Sequence, residues 1–483
     1  MNRLVVVSNR VPTPSAAGAQ AGGLAVALEA LMQQRGGLWF GWSGRTSDSA
    51  TLRMVEDGAV RFATTDLTAE QHQRFYNEFS NSTLWPLLHS MPELMTYARR
   101  NAQVYREVNE RFADRLAPIL REGDLIWVHD YHLMALPSIL RARGVDAPIG
   151  FFLHIPFPGP DLLTKVPEAA SLVEDLLAAD LIGFQTENDA HNFAEAAARL
   201  RGAERAGPGW LTVGGRRVRV GVFPVEIEPR DFADIAQDAW LAAPAERLRR
   251  SLSGQSLVLG VDRLDPTKGL PQRLAGYRRL IERNNDWRRR VTFLQIAAES
   301  RSDVAAYRDL REEIEGAAGN LNSAFAEPDW TPLRLIARAV PRNTIAGYMR
   351  EARVGLVTPL RDGMNLVAKE YVAAQDPQDP GVLVLSRFAG AAEQLRSAIL
   401  VNPYDQDEMA DALDQALSMS LADRQVRWQE AWDTIKDTTA LGWGRSFVSA
   451  LLRATARRKV HAGNGEPATA IPPDRGEGGM RLI

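Results

Sequence analysis

Val354 Gly355 Leu356 Val357 Thr358 Pro359 Leu360 Arg361 Asp362 Gly363 Met364 Asn365 Leu366 Val367 Ala368 Lys369 Glu370 is the stretch that decides the fold. Its apolar opening reads as a buried strand and Val367 to Ala374 as helix, so the residues from Pro359 onward form the loop between them. Such a junction leaves backbone N–H groups unpaired at the carboxyl edge of a sheet, where open α/β folds hold anionic ligands. Asp362 and Glu370 are then carboxylates beside an anion site. Two readings are open: they accept hydrogen bonds from vicinal sugar hydroxyls, or Asp362 is a turn residue and Glu370 a solvated helix residue.

Around this stretch lie further apolar strands, Leu257 to Val261, Val291 to Ala297, Val382 to Ser386 and Ile399 to Val401, with helical segments such as Pro271 to Glu282 and Ser302 to Ala317 between them. The first of these strands runs into Asp262 Arg263 Leu264 Asp265 Pro266 Thr267 Lys268 Gly269 Leu270. Arg263 and Lys268 flank a turn and can converge on one diphosphate, the arginine as a fork of donors and the lysine as a point charge. Taken alone the segment is equally a surface turn with solvated charges. Together with Asp362, Gly363 and Glu370 at another strand end of the same sheet, it reads as a nucleotide-sugar site.

The amino-terminal half has the same alternation. Leu4 to Ser8 is a β-branched run suited to a strand covered on both faces, followed by Asn9 and Arg10. Ala21 Gly22 Gly23 Leu24 leads into a helical Ala25 to Gln34, so the paired glycines either admit a phosphate to a helix N-terminus or are turn residues; they are not a GxGxxG fingerprint. Gly37 to Gly44 carries two indoles, and Tyr76 and Trp85 follow; core packing is the favoured reading and a platform for sugar rings the alternative. Leu125 to Val128, Ile149 to Leu153, Leu181 to Phe184 and Val218 to Phe223 complete a parallel, doubly wound set. Polar residues follow the strands, among them His129, Asp130, His132 and His154. Successive residues point different ways, so a metal site at His129, Asp130 and His132 is disfavoured. Pro224 to Pro229 reads as a crossing between domains, and the pattern restarts near Asp231.

The 483 residues suit two or three domains, and 45% apolar content is ample for their cores. The chain has no cysteine, which excludes disulfides, thiolate catalysis and Cys-ligated metals, and its net charge of −3 gives no footprint for nucleic acid. No apolar run approaches the roughly 18 residues of a membrane span, and no signal-peptide cleavage region follows Met1 to Val11. A cytoplasmic protein is expected.

Ser8 Asn9 Arg10, Ala21 to Val26, Leu38 to Gly44, Trp127 to His132, Phe151 to Pro156, Gly183 to Thr186, Arg263 to Asp265, Lys268 to Leu270 and Arg361 to Glu370 stand in the order found in one family. Over about residues 3 to 455 the chain resembles the trehalose-6-phosphate synthases. The resemblance implies a retaining glucosyltransferase with two Rossmann-like doubly wound domains facing across a cleft, independent of metal or other cofactor. It joins UDP-glucose and glucose 6-phosphate into α,α-trehalose 6-phosphate and UDP. The expected domains are residues 1–228, completed by a helix at 441–457, and 229–440, with a disordered tail at 458–483.

Carried over residue by residue, the resemblance makes Arg263, Lys268, Asp362, His154 and Asp130 the catalytic candidates. Arg263 and Lys268 hold the donor diphosphate and Gly22 and Gly23 close over it. His154, Asp362, Gly363, Met364 and Asn365 surround the donor glucose, with Leu366 and Val367 in the same donor segment. Glu370 binds the ribose and Val340 lies by the base. Arg10, Tyr76, Trp85, Asp130 and Arg301 bind the acceptor, with Arg10 and Arg301 on its phosphate. The chain departs from the family pattern at Pro266, where many members have tyrosine, at Glu226, where glycine is expected, and at Glu299, an acid beside Arg301 that would weaken acceptor-phosphate binding. A related transferase using GDP-glucose or another acceptor, or a sugar-phosphate-sensing pseudoenzyme, are the rival readings, and a homo-oligomer is left open.

Overall fold

The computed structural model describes residues 2–12, 23–48, 51–301 and 304–463. Gly22 therefore lies outside the described residues, as does the expected tail from residue 464 on; residues 458–463 continue the last helix, Ala440–Gly463. The chain forms two compact units, Met1–Val225 with Ala440–Ile483, and Glu226–Thr439.

Among the described residues the first unit holds ten strands: β1 Leu4–Arg10, β2 Gly37–Thr46, β3 Arg53–Asp57, β4 Val60–Leu67, β5 Leu125–His129, β6 Ile149–Phe152, β7 Leu181–Phe184, β8 Glu204–Arg205, β9 Trp210–Val213 and β10 Arg216–Val222. Their order is β3-β4-β2-β1-β5-β6-β7-β10-β9-β8. From β4 to β10 all pairings are parallel, and the chain reverses its winding between β1 and β5. The continuous apolar run Leu4 to Val7 is fully buried, as a central strand covered on both faces requires.

One expectation needs correction here. The sheet is not wholly parallel, because β3 pairs antiparallel with β4 and β8 and β9 close the other edge antiparallel. Gly37 to Gly44 lies in β2, with Trp39, Phe40 and Trp42 buried as core, which is the favoured packing reading.

The last helix packs on this sheet. Its Phe447 lies over Gly150 and Gly183, where an added Cβ would approach the ring to 2.6 and 2.7 Å, so only glycine fits beneath it. Trp127 stacks on Phe447 at 4.4 Å between centroids, and Trp443 donates its indole N–H to the Phe223 carbonyl at 3.0 Å.

Among its described residues the second unit has six strands: β11 Ser256–Arg263, β12 Val291–Ala298, β13 Leu333–Ile336, β14 Val354–Val357, β15 Val382–Ser386 and β16 Ile399–Val401. The sheet is parallel throughout in the order β13-β12-β11-β14-β15-β16. Counted from β11 this is the 3-2-1-4-5-6 order of a doubly wound dinucleotide-binding fold, whose ligand crevice lies outside the strand ends where the winding reverses. That point falls between β11 and β14, and these strands deliver Arg263 and the Pro359 to Asn365 loop.

Candidate active site

In the second unit the platform is set by Arg273, fully buried on the helix Leu270–Arg283. Its guanidinium donates to Asp262 at 2.5 Å, Gln295 at 3.1 Å and Thr358 at 3.0 Å, which ties β11, β12 and the residue after β14 to one helix. Burial pushes the Asp262 carboxyl up and the Arg273 charge pulls it back.

Beyond the platform the chain makes a short turn, Pro266–Lys268, capped by Asp265, which accepts from the Thr267 N–H at 3.0 Å and hydroxyl at 2.9 Å. Pro266 opens that turn, where a missing N–H costs nothing, so this departure leaves the geometry intact. Gly269, at φ +64, closes it, and an added Cβ there would meet the Thr358 carbonyl at 2.6 Å.

Asp265 was not among the expected site residues, yet it gathers them. Its buried carboxylate lies 3.7 Å from Arg263 and 3.8 Å from Arg301, and accepts from the Tyr307 hydroxyl at 3.2 Å. Arg301 in turn donates to that hydroxyl at 2.6 Å. Glu299 does not compete for Arg301: its carboxylate pairs with Arg311.

Lys268 forms an ion pair with Asp362, and the Asn365 amide donates to the same carboxylate oxygen at 3.0 Å. Asn365 also caps the helix Leu366–Ala374, accepting from the Ala368 N–H at 3.2 Å. Main-chain bonds hold the loop on both sides: Leu360 N–H to Thr267, Asp362 N–H to Phe388 and Ala391 N–H to Met364. Gly363 and Met364 are buried, while Leu366 and Val367 in the first helical turn are partly accessible.

Glu370 accepts from Arg342 at 2.8 and 3.2 Å, and Arg342 lies 4.9 Å over the Phe232 ring. Burial raises the Glu370 carboxyl and Arg342 opposes it. Glu370 is thus not the solvated helix residue of the bland reading. Val340 is buried just before the helix that carries Arg342.

The candidates of the first unit gather at the ends of β1, β5 and β6. Arg10 ends β1, and its guanidinium fills the space a Cβ on Gly44 would take, at 2.8 Å. Tyr76 sits on the helix His72–Leu84, whose bonds run to the fifth residue back, as from the Trp85 N–H to Ser80. That wide winding is rare and recurs at functional sites. The Tyr76 ring stacks on His132 at 5.7 Å and His72 at 5.4 Å and leans on Trp42, while Trp85 packs 5.5 Å from Tyr131.

Asp130 accepts from the backbone N–H of His154 at 3.3 Å, and the His154 ring lies 3.1 Å from the His129 ring, nitrogen to nitrogen. Gly23 opens the helix Gly23–Arg35. Arg10, Tyr76, Trp85, Asp130 and His154 belong to the first unit; Arg263, Lys268, Arg301, Val340 and the Asp362 to Glu370 segment belong to the second.

Among the described residues, six non-glycine residues have positive φ, and three are site candidates: Asp130 at 75°, Arg301 at 48° and Asn365 at 79°. Such conformations persist where the surroundings over-determine them, as at ligand sites. No cluster of three or more His, Cys, Asp or Glu suited to a metal ion occurs among the described residues. Nor is any described helix long and apolar enough to cross a membrane.

Residues 2–453 match the profile of Glycosyltransferase family 20. A trehalose-6-phosphate synthase of Sinorhizobium fredii is 46% identical over 462 residues, 95% of this chain and 100% of that one. A solved UDP-forming α,α-trehalose-phosphate synthase of Burkholderia xenovorans, in complex with glucose-6-phosphate, superposes with a TM-score of 0.90 at 44% identity, covering 93% of this chain and 100% of that one. A solved trehalose-6-phosphate protein of E. coli bound with UDP-2-fluoro glucose gives the same TM-score of 0.90 at 44% identity, over 93% and 98% of the two chains.

Proposed function

The chain belongs to glycosyltransferase family 20, and from that premise we propose that it transfers glucose from UDP-glucose to glucose 6-phosphate, releasing UDP and α,α-trehalose 6-phosphate. The observation that carries this is the convergence at the switch point of the second unit. Arg263 and Lys268 end the β11 turn, and Asp362 and Asn365 end the loop after β14, joined through the Lys268–Asp362 ion pair. Relatives of the same length are named for this reaction.

As the glycosidic bond of the donor lengthens, negative charge grows on the departing diphosphate. Fixed cations aimed at it stabilise the transition state more than the ground state. Arg263 and Lys268 fill that role. Asp265 holds the arginine side of the turn and Asp362 holds the lysine, so neither cation needs to reorganise during the reaction. Asn365 and the main-chain bonds of Asp362 and Met364 fix the loop against the glucose. Glu370, oriented by Arg342, accepts from the ribose hydroxyls.

The transfer proceeds with retention by front-face substitution. The acceptor hydroxyl adds to the anomeric carbon on the side the diphosphate leaves, the carbon–oxygen bond to phosphate breaks, and a leaving phosphate oxygen takes the hydroxyl proton. No side chain acts as general base and no metal takes part. Tyr76, Trp85, Asp130 and Arg10 of the first unit hold the acceptor, with Arg10 on its phosphate. A cytoplasmic location agrees with these intracellular substrates.

A product assay tests the reading: glucose 6-phosphate is offered with UDP-glucose or GDP-glucose, with and without EDTA. Turnover of UDP-glucose, undiminished by EDTA, is expected. Inactivity with both donors overturns the function, and loss in EDTA overturns metal independence. Asp362→Asn should raise the KM for donor and lower kcat/KM while leaving the pH profile unchanged in shape. Disappearance of a basic limb in that variant would make Asp362 a general base after all.

A further inference from the structure

We infer that His129 sets the tautomer of His154, so that His154 presents a protonated Nδ1 to the donor sugar. The inference rests on the assignment of His154 to the donor given above, and makes His129 a positioning residue of that site. His129 ends β5 and is fully buried; β5 and β6 are neighbours, which brings its Nδ1 to 3.1 Å from His154 Nε2.

At that distance one proton lies between the two nitrogens, and burial lowers both rings below their ordinary range, His154 to about 3. Two neutral imidazoles can share the proton in two ways. If His154 donates, His129 must carry its own proton on Nε2. If His129 donates, its Nε2 is a bare acceptor and the His154 proton is on Nδ1.

The surroundings of His129 decide between them. Its Nε2 is buried without a hydrogen-bond partner, and so is the indole N–H of Trp127, whose ring is centred 4.5 Å away. The other rings around His129, Phe152 and Trp443, offer no acceptor. Protonating Nε2 would add a second orphaned donor beside the indole, and buried orphan N–H groups are rarer and costlier than under-satisfied acceptors. The second arrangement instead puts a lone pair near the indole donor.

His154 Nδ1 has no partner among the described residues, so its proton is available to a sugar oxygen. Neighbours that orient a functional imidazole through its other nitrogen fix its tautomer in the same way at metal centres.

The test is a long-range proton–nitrogen correlation spectrum of the full chain labelled on its 7 histidines, with the His154 signals assigned by their loss in His154→Gln. At neutral pH and without substrate, a protonated Nδ1 and a bare Nε2 are expected; a proton on Nε2, or an imidazolium, overturns the inference. Turnover supplies the second arm. His129→Phe should lower kcat/KM for the donor by about 10-fold or more, whereas His129→Asn, whose amide nitrogen takes the place of Nδ1, should lose less than about 3-fold. Equal losses in the two variants would reduce His129 to a packing role. Because the spectrum needs no substrate, a chain with the expected tautomer that fails to transfer glucose refutes the proposed function alone.

Discussion

Arg263→Ala lowers kcat by about 100-fold or more, the scale on which removal of one preorganised electrostatic donor acts. The effect falls on kcat because the charge that Arg263 meets grows only as the donor bond breaks. The protein itself should tolerate the change. The Arg263 side chain is 50% exposed, and its ion pair to Asp265 spans 3.7 Å. Asp265 keeps its cap on the Pro266 turn and its bond from Tyr307 without it. The fold is held instead by Arg273, which differs from Arg263 in being wholly buried and bonded to β11, β12 and the residue after β14. Arg263→Lys should recover part of the rate, since a point charge replaces the fork. Steady-state kinetics with saturating UDP-glucose and glucose 6-phosphate checks this, alongside thermal melting. Unchanged turnover in a folded Arg263→Ala would remove the arginine from the mechanism.

The residues that could be read in advance are those whose signal is local. Leu181 to Phe184, Val354 to Val357 and Val382 to Ser386 are apolar runs closed by turn residues, and the strands have those same limits. Exposed edges carry no such signal. β3 is Arg53 Met54 Val55 Glu56 Asp57, exposed along its whole length, and it exists because β4 offers it a partner. The Gly37 to Thr46 strand was hidden by its glycines, of which Gly41 lies against the Ser8 carbonyl of β1.

In the site, Arg263, Lys268 and Asp362 stand out by charge at strand ends. Arg273, Asp265 and Arg342 do not, since an arginine on a helix and an acid in a turn look solvated until the third dimension supplies Thr358, Arg301 and Glu370. Asp262 and Asp265 bracket Arg263, and two acids in one anion-binding turn were a usable sign that its cations needed holding. Tyr307 carried none.

Glu226→Gln destabilises the second unit by about 3–5 kcal/mol, as removing one partner of a buried ion pair does. Glu226 stands where the family pattern has glycine, and its side chain is only 7% exposed. One carboxylate oxygen accepts from Lys369 at 2.6 Å and Thr438 at 3.1 Å, and the other from Gln394 at 2.9 Å. Lys369 is itself fully buried, on the helix that carries Glu370. The carboxylate thus pins the donor helix to the segment after β15 and to the residues just before the chain leaves this unit at Thr439.

In the variant the Lys369 ammonium faces an amide that cannot neutralise it, and the free energy is lost through that uncompensated charge. Removing both charges relieves it, so Glu226→Gln with Lys369→Met should regain most of the loss. Hydrogen exchange of the helix Leu366–Ala374 and urea denaturation both read the effect.

The pH dependence has a fixed sign. Burial lowers Lys369 below its ordinary 10.5, and loss of the carboxylate that opposes this lowers it further. Between the folded and unfolded values the unfolded chain binds the extra proton, so stability rises with pH across that window. The deficit of Glu226→Gln against the parent should therefore narrow as pH is raised from neutral toward 10.5. A deficit that stays constant, or a double variant no more stable than the single one, would mean that the carboxylate acts through its bonds to Gln394 and Thr438 and not through the lysine charge.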